Sequence, residues 1–150
     1  MGKEKMTKLE KQWVLYDVGN SAFVMLVSTI IPIYFKNMAT TSGISAANST
    51  AYLSYAISIS TILVALLGPV CGAAADNKGF KKPLFTAFMM IGVIACAAMG
   101  IPKTWLAFLV VFVIAKVGFS GSLIFYDSML VDVTTDERMD EVSSHGYAWG

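Results

Sequence analysis

The chain has 150 residues, of which 56% are hydrophobic and only 14% charged, and its mean hydropathy is +0.65. That is too apolar for a soluble domain of this size, so the bilayer is the solvent the sequence is written for. A net charge of +1 supplies no general field for nucleic acid, so no such partner is expected and charge must act locally.

The chain begins with "MGKEKMTKLEKQ", which resembles a basic leader. The apolar run after it is too long for the core of a cleaved signal peptide, and "NMATTSG" is a poor cleavage site, so the segment is expected to stay in place. A helix rises about 1.5 Å per residue and the hydrocarbon core is about 30 Å thick, so about 20 mostly apolar residues make a crossing. The first such stretch runs from about Trp13 to Phe35. Spacings of three and four put Asp17, Ser21, Val24, Ser28 and Ile31 on one face with Asn20 beside them, and this wetter face is expected to look into a helical bundle. Asp17, Asn20 and Ser21 are therefore candidates for substrate binding or coupling. Asp17 lies near the cytoplasmic end, where a solvated carboxylate is cheap, and that plain reading competes with a coupling role.

The second stretch runs from about Ala51 to Ala75. Ser54, Ser58, Thr61, Ala65, Gly68 and Gly72 form a stripe of small residues, for which close helix packing is the expectation. Pro69 is expected to kink the helix. "NST" at Asn48 has the form of a glycosylation acceptor and is read as chance. Cys71 and Cys96 lie in or at the end of apolar segments and read as small buried hydrophobes, not as a disulfide or metal pair.

A charged turn, "GAAADNKGFKK", leads to the third stretch, from about Pro83 to Ile101. Lys3, Lys5, Lys8 and Lys11 precede the first span, and Lys78, Lys81 and Lys82 follow the second. The other short loops hold only Lys36 and Lys103. By the positive-inside rule this is a multi-pass integral membrane chain with a cytoplasmic N-terminus and a cytoplasmic turn around Asp76.

The fourth stretch runs from about Trp105 to Val131 and carries Lys116 close to the bilayer midplane, about 17 Å along the helix. A lysine at that depth costs about 2.5 to 3.5 kcal/mol on insertion scales and needs a wet cavity or a partner. It can bind an anionic group of a substrate, pair with an acid of a later span, or snorkel along a cavity wall. Asp127 lies on nearly the same face but about 16 Å further on, too far for a direct pair. Like Asp17 it is a candidate coupling residue with a solvated interfacial carboxylate as the plain alternative. Beyond it, "TTDER" reads as a capping signal from Thr134 to Glu137, His145 as a solvated interfacial histidine, and 143–150 as the start of a fifth span. Continuous apolar runs without alternation exclude a β-barrel, so the fold class is all-α, a polytopic helical bundle.

The spacing of the charged turn is more specific than its charge. Gly72, Asp76, Gly79, Lys81 and Lys82 resemble, slot for slot, the loop signature between the second and third spans of the major facilitator superfamily. "WVLYDVGNSAF", "IIPIYF", "FYDSML" and "SSHGYAWG" are similar to its branch of autophagy-related vacuolar amino-acid effluxers, which has asparagine where Asp127 stands. The resemblance implies an N-terminal fragment of a transporter with about twelve spans, whose remaining spans and lipid bilayer are its partners. It also implies that Asp76 meets the positive N-terminal end of a helix in the other half and helps hold one side of an alternating-access cycle shut. The function expected is secondary active transport of a small polar solute such as an amino acid. The alternative is a four-span scaffold or accessory protein that binds through its small-residue stripe. No phosphate-binding loop, histidine pair or nucleophile set is present, so no enzyme activity, cofactor or metal is expected.

Overall fold

The computed structural model describes residues 6–76 and 79–149; Lys3, Lys5 and Lys78 of the charge count lie outside the described residues. Every regular element among these residues is helical: α1 (Lys8–Met25), a π-helical segment (Leu26–Ile30), α2 (Ile31–Thr41), α3 (Ala46–Ala75), α4 (Lys81–Ala98), α5 (Trp105–Ser128), α6 (Leu130–Val133), a 3-10 turn (Asp136–Arg138) and α7 (Met139–Trp149). Four helical stretches, Lys8–Thr41, Ala46–Ala75, Lys81–Ala98 and Trp105–Ser128, are long and apolar enough to cross a membrane.

Local chemistry sets the helix ends. The first helix starts ahead of its apolar run because Thr7 and Glu10 form a capping box: Thr7 N donates to Glu10 Oε2 at 2.7 Å, and Glu10 N donates to Thr7 Oγ1 at 3.2 Å. Ser45 accepts from Asn48 N at 3.2 Å and starts α3 at Ala46, ahead of the apolar run. The π segment ends just before Pro32, whose ring crowds the preceding turn and whose nitrogen cannot donate to the carbonyl of Ser28; widening the helix relieves both. Within it, Ser28 Oγ donates to Val24 O at 2.8 Å and Thr29 Oγ1 to Met25 O at 2.5 Å. By contrast α3 stays helical through Pro69.

The chain divides into two compact units, Ile31–Ser128 and the remainder from both ends. In the first of these, α5 is central, packing on α3 and α4, while α2 lies against α3 and α5. Phe108, Phe112 and Phe125 of α5 are fully or almost fully buried. Phe35 stacks on Phe108 with ring centroids 5.8 Å apart, and Phe88 meets Phe125 at 5.7 Å. Glycines set the α4–α5 approach. A Cβ on Gly118 would stand 2.5 Å from Gly92 N and 2.8 Å from Gly92 Cα, and one on Gly121 would overlap the Phe88 ring. In the other unit, α6 and α7 pack on α1.

Among the described residues nothing packs closely on the small-residue stripe of α3. A Cβ on Gly68 or Gly72 would meet nothing within 4 Å, and Ser54, Ser58, Thr61 and Ala65 are exposed. The close approach is instead made by Gly92, Gly118 and Gly121, because α5 supplies the central contact surface and its glycines coincide with α4. The "TTDER" reading fails. Thr134 ends α6 in extended conformation, and Thr135 precedes the 3-10 turn with no side-chain cap. Thr134 is otherwise engaged, its hydroxyl donating to Glu10.

Candidate functional site

The charged turn sits between α3 and α4. Gly79 adopts φ +90, a left-handed conformation that favours glycine and lets the chain reverse before α4 begins at Lys81. Lys81 Nζ donates to the carbonyl of Ser128 at 3.2 Å, placing a cation at the C-terminal end of α5, where the helix dipole favours it. Lys82 is exposed. Asp76 is the C-terminal cap residue of α3, with its backbone N–H directed to Gly72 O and Ala74 O. Its carboxylate is exposed and makes no hydrogen bond or ion pair among the described residues. That is a poor place for a negative charge, since the helix end itself is negative.

Lys116 is half-buried midway along α5, beside the fully buried Ala115 and Phe112. Among the described residues it has no hydrogen bond or ion pair. Sequence explains why: within Ile31–Ser128 the acids are Asp76 and Asp127, and both stand at helix ends. Asp127 is exposed in the last turn of α5 and has a polar partner of its own. The structure therefore does not bring Lys116 and Asp127 together.

Asp17, Asn20 and Ser21 belong to the other unit and are half-buried on α1. None makes a side-chain hydrogen bond or ion pair among the described residues. Asp17 lies under α7, where a Cβ on Gly146 would come 3.0 Å from the Trp13 ring and 3.2 Å from Asp17 Oδ2. Further along the same face Val24 and Ser28 are exposed, so the described residues cover the wet face only in part.

Sequence reasoning missed a buried polar cluster around Glu10 in this unit. Glu10 is only 2% exposed. Besides its capping bond to Thr7, it accepts from Thr134 Oγ1 at 2.8 Å and lies 3.4 Å from Arg138 Nη2, with Glu141 Oε2 at 3.9 Å from Arg138 Nε. The only sequence signal was the T-x-x-E spacing of Thr7 and Glu10, which marks a helix start but says nothing of the distant threonine and arginine.

These residues can hold charge and polar groups within helices but form no metal-binding cluster among the described residues. The family profile described as "Vacuole effluxer Atg22 like" matches residues 6–145. The chain belongs to the Atg22-like effluxer family. It is 46% identical over 150 residues to a Bacillus subtilis (strain 168) protein described as "Uncharacterized MFS-type transporter YxiO", covering 98% of this chain and 35% of that relative. No solved structure matches. The family match and the four apolar helices together make this Atg22-like chain an integral membrane protein of a transporter family.

Proposed function

We propose that this chain forms part of the N-terminal half of a secondary active transporter that moves a small polar solute by alternating access, with amino acids the first class to test. Its N-terminus and the Asp76 turn face the cytoplasm. The observation that carries the reading is Lys116: a mid-helix ammonium, half-buried, with no anionic partner among the described residues. An intramembrane charge with no local partner marks a site filled by something else, and a solute carboxylate at the midplane supplies the opposite charge. Asp17, Asn20, Ser21 and Asp127 are further polar groups for solute or coupling ion. The bare small-residue stripe of α3 packs against the remaining spans of the transporter.

The test is made in the full-length transporter with Lys116→Gln and Lys116→Arg. Gln should weaken solute affinity at least about tenfold, about 1.4 kcal/mol, with folded yield preserved, and Arg should fall between. A loss of folded yield in Gln, restored by neutralising an acid of a later span, would instead make Lys116 a structural partner. Unchanged affinity and yield would remove Lys116 from the site.

A further inference from the structure

A second unmatched lysine lies at the other end of the bundle from Asp76. Between α2 and α3 is a cleft of about 170 Å³, lined by Pro32, Ile33, Phe35, Lys36, Ser49, Thr50 and Leu53. Pockets that enclose small-molecule ligands hold about 300 to 1,000 Å³, so this one is too small to bury a solute. Its walls are mostly apolar, and its two hydroxyls are already committed: Ser49 Oγ donates to Ala46 O at 2.8 Å and Thr50 Oγ1 to the same carbonyl at 3.1 Å. Lys36 is left as the polar side chain without a partner among the described residues.

Two observations say what meets it. No Asp or Glu occurs from Val18 to Ala75, and the two acids of this unit, Asp76 and Asp127, stand at the opposite end of its helices. Lys36 is exposed at the rim of the cleft, so an anion that meets it comes from outside this unit. The height of the cleft is marked by aromatic rings. Tyr52, next to Leu53, stacks on Trp105 with centroids 5.2 Å apart, and Tyr34, 45% exposed, lies 5.4 Å from Phe108. Tyrosine and tryptophan gather at the headgroup level of a bilayer, where one end of the ring is apolar and the other wet.

We propose that this cleft seats one anionic phospholipid, its phosphate on the Lys36 ammonium and its glycerol and upper acyl segment on Pro32 and Ile33. Apolar walls below a single cation at the interface match a lipid's own order of groups and leave the remainder of the chains in the bilayer. A free anionic solute would gain nothing from those walls.

The test is native mass spectrometry of the purified chain with phosphatidylglycerol or phosphatidylcholine. Wild type should retain one phosphatidylglycerol in preference to phosphatidylcholine. Lys36→Gln should lower that preference about fivefold, the contribution of one basic residue near an anionic surface, while Lys103→Gln leaves it unchanged. Thr50→Trp, which fills the cleft from its exposed rim and keeps Lys36, should lower retention of phosphatidylglycerol as well. Circular dichroism confirms that each variant is as helical as wild type. An equal loss in Lys103→Gln would reduce the effect to general charge, and equal retention in Lys36→Gln or Thr50→Trp would overturn the site. Displacement of the lipid by glycerol 3-phosphate at the same concentration would make it a soluble-anion site and overturn the lipid assignment.

Discussion

Arg138 Nη2 lies 3.4 Å from Oε2 of Glu10, joining the first turn of α1 to the turn that precedes α7. The same carboxylate accepts from Thr7 N and Thr134 Oγ1, so each of its oxygens is engaged while the side chain is hidden from solvent. Glu10→Gln keeps the size but exchanges an acceptor oxygen for a donor facing Arg138 or Thr134. The expected loss is about 1 to 3 kcal/mol of stability, the range for leaving a buried polar group mispaired. Urea unfolding of the purified chain in detergent reads it. In a cycle with Thr134→Val the two losses should not add, since both variants disturb the same hydrogen-bonded cluster.

Glycine positions separate two helix surfaces that look alike in sequence. Gly118→Ala puts a methyl group against the backbone of Gly92, which cannot swing aside as a side chain would, so α4 and α5 must part. The penalty should be about 1 to 3 kcal/mol, in the range for overpacking a close contact. Gly72→Ala meets open space and lies in ordinary helix, so in this chain it should be neutral or slightly stabilising. Thermal unfolding of the two variants side by side checks the contrast, and equal effects would contradict the observed packing.

Membrane orientation is checked by single cysteines at Thr41 and Lys82 in a background lacking Cys71 and Cys96. Both positions are exposed and stand at opposite ends of α3 through its flanking turns. An impermeant thiol reagent should label them from opposite sides, with Lys82 on the cytoplasmic face. Labelling from one side would contradict the orientation.

Hydropathy made the four apolar helices legible because a run of about 20 apolar residues has few other uses. The helix ends were less so. They depend on single contacts, such as the Thr7–Glu10 box that carries α1 ahead of Trp13 and the Lys81 bond at Ser128 that closes α5 before Val131. Likewise α7 starts at Met139, ahead of the expected fifth-span start at 143. Which small residues pack was not legible at all. Gly68 with Gly72 on α3 and Gly118 with Gly121 on α5 are each a pair of glycines about one turn apart in an apolar helix, and only the choice of α5 as the central helix makes the second pair the contact face. Of the candidate site, the unmatched state of Lys116 follows from the scarcity of acids in the sequence. The Glu10 cluster does not, because its members are far apart in the chain and meet only in the fold.

Asp76 supplies the sharpest test of the loop motif, because the local fold and the proposed function pull in opposite directions. As the C-terminal cap of α3 it sets a negative charge on the negative end of a helix dipole, with no partner among the described residues. Neutralising it by Asp76→Asn should therefore stabilise the isolated chain by about 0.3 to 1 kcal/mol, more at low salt than at high, as the dipole effect is screened. On the proposed alternating-access function, the same variant in the full-length transporter should shift the balance between inward and outward states. Site-directed accessibility and transport kinetics measure that shift, while unfolding of the 1–150 chain measures the local gain. A stabilised chain together with altered transport would assign Asp76 to the alternating-access cycle. Wild-type kinetics and accessibility would leave it as a boundary charge, and a destabilised chain would show that the aspartate holds the α3–α4 turn itself.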